Sequence, residues 1–299
     1  MARETFLLTV YCVVEEQYQH LTAIRPIRHG GFAPQLRDVE VLTMGIGGEF
    51  FQLPRATDLL ADFRAPSAPC FPALTPRTLF VRQAANLWPL QAVIQRRLGR
   101  GSCHAADPVQ GIAPLPLPVC PSTRGGRRAP CFPGQADYGY GAAKPWRDYG
   151  FTLGLRITRC GLITHSPLLA TRPHAIQCLD AWVEGSAGGR IAADKGFLDQ
   201  SQHAMLAQHQ GIDVVTPPRA RRMPTQPLGL VRAGARGRKG GETVGAQLTE
   251  HFAVARIRVR ALWHFQQRLI RKIWAPTVGV FLHLQMGRQP LDLDGILTA

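Results

Sequence analysis

The chain has 299 residues, 45% of them hydrophobic, which is normal for a packed globular protein and allows one large or two ordinary domains with a real core. Thirty-five Lys and Arg against twenty Asp and Glu give a net charge of +15 and a pI near 10.4, pointing to a polyanionic partner, nucleic acid ahead of an anionic membrane. Seven cysteines (12, 70, 103, 120, 131, 160 and 178) form no C-x-x-C pair and leave an odd count, which excludes a disulfide framework or zinc ribbon and reads as reduced thiols. The apolar run "FLLTVYCVV" passes straight into Glu15 and Glu16 with no small-residue cleavage site, so it reads as a helix. No run approaches transmembrane length, so no membrane partner is expected.

Residues 1–104 read as a helical, DNA-binding domain. Apolar residues recur at helical spacing in "TFLLTVYCVVEEQYQHL", "DVEVLTMGIGGEFF" and "TLFVRQAANLWPLQAVIQRRL", with a short helix in "ATDLLADF". Asp38 and Thr75 are placed as N-caps, the latter followed by Pro76 at the first helical position. A helix-turn-helix and a plain bundle both remain open at this point.

From residue 105 the pattern turns to strands. "VQGI" is a short apolar run that the prolines of "APLPLPVC" are expected to stop. "YGFTLGLRIT" alternates Phe151, Leu153, Leu155 and Ile157 on one face, and "GLITHSPLLA" follows a tight turn as its hairpin partner. Then come a helix in "HAIQCLDAWVEG", a strand ending at Asp194, a helix in "SQHAMLAQHQ" and the strand "IDVVTP". Together these predict a mixed α/β sheet flanked by helices. Residues 217–241, rich in Pro, Gly and Arg, read as a long functional connection. Helical text follows in "ETVGAQLTEHF" and "ARIRVRALWHFQQRLIRKIW", with a break expected at Pro276 before "TVGVFLHLQM".

Acids are scarce, so two of them stand out. Asp194 ends a strand, where a buried carboxylate needs a partner. Glu242 opens a helix after a run of positive charge, a place where the helix dipole alone would favour it. Two acids inside a basic surface also suggest a divalent-cation site facing phosphates, since Mg²⁺ takes few carboxylates and completes its shell with water and phosphate oxygen. Basic, flexible stretches carry the expected phosphate contacts: Arg124, Arg127 and Arg128 in one, and Arg219, Arg221, Arg222, Arg236, Arg238 and Lys239 in the other. Trp88, Trp182, Trp263 and Trp274 are assigned to packing, and Trp146, beside Lys144 and Arg147, is the candidate for base stacking. His165 and His174 read as structural, and Tyr138 and Tyr140 as strand residues rather than covalent nucleophiles.

At this point a family resemblance emerges. "PLPLPVC", "FPGQADYGY", "YGFTLGLRIT", "ADKGF", "RKGGETVGAQLTEHF" and "LWHFQQRLIRKI", with "FAPQLRDVEVLTMGIGGEFF" and "FPALTPRTLFVRQAANLW" before them, resemble a DDE-type transposase of bacterial insertion sequences over nearly the whole chain. The resemblance implies an RNase H-like catalytic domain over residues 105–290, with a short tail at 291–299. It further implies three acids holding Mg²⁺, with Mn²⁺ as a substitute, and Mg-dependent cleavage and transfer of DNA strands. The implied partners are double-stranded DNA at the element's terminal repeats, target DNA and a second copy of the chain, in the cytoplasm with the nucleoid.

By the same resemblance Asp194 stands at the second acid, Glu242 at the third, and Arg238 at the arginine that accompanies the glutamate. The tyrosine expected before that arginine and the lysine expected after the glutamate are replaced by Ala235 and Thr249. The larger departure is Ala113, which occupies the position of the first Asp and whose methyl group cannot ligate a metal. Asp107 lies six residues upstream, roughly 20 Å along an extended strand, too far to substitute. Asp148, at the start of the neighbouring strand, is a weaker substitute. The expectation is a transposase whose catalysis is impaired, with a non-catalytic DNA-binding remnant as the alternative. Gly240 and Gly241, ahead of Glu242, read as drift at a helix start.

Overall fold

In the computed structural model the residues described are all except 29, 31–32, 65–69, 102–108, 122–130, 141–146, 172–174, 187, 218–227 and 298–299. The chain forms two compact units, Met1–Leu98 with Leu262–Ala299, and Gly99–Ala261. It is a mixed α/β protein. No helix among the described residues is long and apolar enough to cross a membrane.

The first unit is helical: α1 (Arg3–Ile24), α2 (Asp38–Phe50), α3 (Ala56–Arg64), α4 (Arg77–Asn86), α5 (Trp88–Gly101, ending at the boundary) and the closing helix, numbered α9 (Leu262–Gln285). The long pattern read as one helix from Thr78 breaks at Leu87 into α4 and α5. Both expected caps shift by one residue. Arg37 caps α2, with the Glu40 carboxylate accepting from the Arg37 backbone N–H at 2.6 Å, and Pro76 is the N-cap of α4. Asp38 is therefore inside α2, buried, and its carboxylate accepts from Arg28 Nε (3.2 Å), Gln83 Nε2 (2.7 Å) and Tyr18 Oη (3.1 Å). An acid read as a cap thus ties three segments of the unit together.

Helix α9 packs with these helices rather than with the sheet, where the sequence pattern had grouped it. Nor does Pro276 break it. Residues 269–280 are buried on every side, and that burial outweighs the one backbone hydrogen bond a proline forfeits. The tail is also part of this unit: Leu293 and Ile296 are buried, close to where a Cβ on Gly279 would lie.

The second unit is built on a seven-stranded sheet of β1 (Val109–Pro121), β2 (Asp137–Tyr140), β3 (Arg147–Ile157), β4 (Ile163–His165), β5 (Leu168–Ala170), β6 (Gly189–Ala192) and β7 (Ile212–Val215). Its order is β2-β3-β1-β6-β7, with β4 and β5 also on β3. The β1·β3 ladder is antiparallel, whereas β1·β6 and β6·β7 are parallel. The prolines do not stop β1. Pro114, Pro116 and Pro118 fall two apart, so their missing N–H groups all lie on one edge. The other edge keeps its ladder to β3, and the edge the prolines disable is paired only at Val109–Gly111, to β6. The expected hairpin between β3 and the segment after Gly161 is present through β4.

Helices cover both faces of this sheet. On one, α6 (Leu179–Val183) and α7 (Gln200–Gln210) enclose a core of Ile112, Trp182, Ile191, Phe197, Leu206 and Val214. On the other lies α8 (Leu228–Glu250), whose residues Gly234, Gly237, Gly241, Val244 and Leu248 recur at helical spacing and are buried. The glycines let the helix axis come close: a Cβ on Gly111 of β1 would sit 2.5 Å from the Gly237 carbonyl oxygen. The stretch from Leu228 to Gly241, read as loop, is thus the first half of α8. Tertiary packing against β1, β6 and β7 compensates a glycine-rich sequence of poor intrinsic helicity.

Candidate active-site cleft

The end of β6 is shaped by a buried anchor. The Ala193 backbone N–H donates to the Val215 carbonyl (2.9 Å), holding the chain beside β7, and the Phe197 N–H donates to the Asp194 carbonyl (3.0 Å), opening a single 3₁₀ turn over Lys195–Phe197. Phe197 is buried edge-on against Trp182 at 5.1 Å. Anchoring Phe197 inside leaves Asp194 and Lys195 outside, both exposed. The reason given for Asp194 from sequence, a buried acid in need of a partner, therefore does not hold.

Glu242 also differs from its sequence reading. It is the fifteenth residue of α8 rather than its first, so the helix dipole does not account for it. Gly241 is turned toward the sheet, where a Cβ would come within 3.2 Å of the Ala113 Cβ, and the next residue, Glu242, is exposed at the rim. Gly241 is thus a contact residue rather than drift, while a Cβ on Gly240 would meet nothing within 4 Å.

These elements border one cleft of about 1080 Å³. Ala113, half-buried on β1 opposite Leu155 of β3, lines it together with Asp194, Glu242, Glu250, Lys195, Arg238 and Lys239. All three positions that the resemblance assigns to acids, 113, 194 and 242, are brought together here. Neither the Asp194 nor the Glu242 carboxylate makes a hydrogen bond or ion pair among the described residues. Arg238 and Lys239 precede Glu242 by four and three positions on the same helix and add positive potential to the same walls.

The remaining predicted residues are placed unevenly. Arg124, Arg127, Arg128, Arg219, Arg221, Arg222, Asp107, Trp146 and His174 lie outside the described residues. Arg236 falls within α8 and Asp148 within β3. Tyr138 is exposed on β2 and meets Tyr149 edge-on at 5.1 Å. Cysteines 12, 70, 120, 131, 160 and 178 form no disulfide among the described residues.

The donor set decides what the cleft can hold. A two-ion centre for strand transfer needs a carboxylate able to reach both ions, and position 113 supplies a methyl group. Among the described residues no three His, Cys, Asp or Glu side chains gather as a metal site. The three carboxylates that line the cleft, Asp194, Glu242 and Glu250, do not gather as a metal site, and with Lys195, Arg238 and Lys239 beside them and a methyl group at position 113 they do not fit a two-Mg²⁺ centre.

Two features escaped the sequence reading. Arg156 on β3 is 3% exposed and donates through Nε to Thr164 Oγ1 (3.2 Å) and through Nη1 to the Trp182 and Glu184 carbonyls (3.4 and 3.3 Å) and the Ser186 hydroxyl. Burial, with Arg100 nearby, pushes its pKa down to about 10. Trp263, assigned to packing, is 45% exposed. The alternation of β3 sets Arg156 on the face opposite Phe151, Leu153, Leu155 and Ile157, so that pattern hides its burial, and nothing local marks Trp263.

The chain matches no family model, no curated protein and no solved structure.

Proposed function

We propose that this chain is an insertion-sequence transposase of the DDE type that binds DNA at element ends and whose Mg-dependent strand cleavage and transfer are impaired by Ala113. The observation that carries this reading is the convergence of positions 113, 194 and 242, widely separated in sequence, on one cleft with basic walls. The mixed sheet with helices on both faces supports an RNase H-like reading of the second unit, and the +15 charge supports a DNA partner. On this reading element ends, target DNA and a second copy of the chain are the partners, and Arg238 and Lys239 contact phosphates beside the cleft. The alternative, a non-catalytic DNA-binding remnant that occupies element ends, is favoured by one specific observation, the alanine itself.

The test is a DNA cleavage and joining assay in Mg²⁺ and in Mn²⁺, on fragments carrying the element's ends, for the native chain and Ala113→Asp. Because position 113 lines open cleft, the longer side chain has room. Activity gained only in the variant supports the transposase reading. Activity in neither, with DNA binding intact, favours the remnant, and absence of DNA binding by both proteins overturns both.

A further inference from the structure

The helical unit carries a second recess, well separated in sequence from the cleft. It measures about 390 Å³, within the range of small-ligand clefts, and is lined by Arg77, Thr78, Val81, Arg82, Ala85 and Asn86 of α4 with Trp263 and His264 of α9. The α4 residues fall in pairs four apart, at 77/78, 81/82 and 85/86, and so form one helical face.

Three properties of this recess point the same way. First, no carboxylate lines it, and Arg77 and Arg82 are exposed with no ion pair among the described residues. Second, Trp263 stands against Trp88 edge-to-face, 5.4 Å between centroids and 82° between planes, which fixes its ring while nearly half its surface stays exposed. Third, Val81 and Ala85 give an apolar floor, and Thr78 and Asn86 offer neutral donors and acceptors beside it. A fixed aromatic face sharing one recess with two guanidinium groups suits a stacked base with its neighbouring phosphates. An acidic peptide would leave the ring unused, and an apolar partner would strand two arginines.

We propose that this recess binds an unpaired DNA nucleotide, its base stacked on Trp263 and its neighbouring phosphates held by Arg77 and Arg82. The choice of DNA rests on the functional reading above; the site itself rests on the recess.

The experiment is fluorescence anisotropy of the full-length protein with a labelled oligothymidylate of about twelve nucleotides, the same length of oligouridylate, and a duplex. Trp263→Leu is expected to weaken oligothymidylate binding about tenfold while changing duplex binding less than twofold. The Arg77→Gln/Arg82→Gln variant, altered only at exposed positions, guards against misfolding of the first and is expected to lower the salt slope by about 1.4. Unchanged oligothymidylate binding in both variants overturns the proposal. If Arg238→Gln/Lys239→Gln then abolishes that binding, the functional reading stands without it. Tighter binding of oligouridylate than of oligothymidylate reassigns the recess to RNA and overturns the DNA proposal, and no binding of any DNA by the native chain overturns both readings.

Discussion

Glu49 and Glu242 both sit on helices, one in each unit, and their surroundings are opposite. Glu49 of α2 is 4% exposed, its carboxylate accepting from Arg271 Nε at 2.5 Å and Lys272 Nζ at 2.8 Å, both buried side chains of α9. Glu242 of α8 is exposed and makes no contact of that kind among the described residues. The first has a structural task that consumes both oxygens, so its removal leaves two buried cations unbalanced. The second has none, and it shares a cleft with Asp194, equally exposed. Acids without structural employment, gathered in one concave place, are the ones available for chemistry.

That contrast can be broken or sharpened in measurable ways. Glu49→Gln is expected to have the largest effect, a loss of about 3–5 kcal/mol by denaturant unfolding, because a neutral amide cannot balance Arg271 and Lys272. A stability within 1 kcal/mol of native would remove the distinction between the two acids. Next comes Gly237→Val, which forces α8 away from Gly111. The expected cost is about 1–3 kcal/mol, with the Glu242 side of the cleft displaced.

A smaller effect belongs to His165, whose ring meets the Ala181 carbonyl at 2.9 Å through Nε2. Burial and the nearby Arg156 charge lower its pKa below the usual 6.5, although the bond to Ala181 opposes them. Between the folded and unfolded values the unfolded chain binds more protons, so stability rises with pH there. The contribution is complete above about pH 6.5 and is lost as pH falls through the folded value. His165→Gln is expected to flatten that part of the stability profile; an unchanged profile would show that other groups set it. The smallest effect is predicted for Asp194→Asn and Glu242→Gln, each within about 0.5 kcal/mol of native in thermal or chemical unfolding. A larger loss in either would mean that the cleft acids are structural after all.

Amphipathic spacing made α1 and the alternation of β3 legible in sequence, because their apolar period is written locally, whereas α2 is buried on nearly every side. The candidate acids were legible too, through the resemblance rather than through spacing, and the cleft unites their positions. What escaped was the role of residues that act through distant neighbours. Asp38 reads as a cap until Arg28, Gln83 and Tyr18 converge on it. Gly241 reads as drift until Ala113 is found beneath it.

By itself, then, the sequence determined the composition of this protein's interactions: a strongly basic chain, helices first and a mixed sheet after, and a methyl group where an acid is expected. Tertiary structure decided where the chain may ignore its own local signals. Prolines continue β1 because their missing donors all fall on the edge β6 leaves largely unpaired, glycines make α8 a close-packed helix, and Pro276 is carried through α9 by burial on every side. Local propensity is worth a few kcal/mol at such positions, and only the packed partner, far away in sequence, supplies enough to outweigh it.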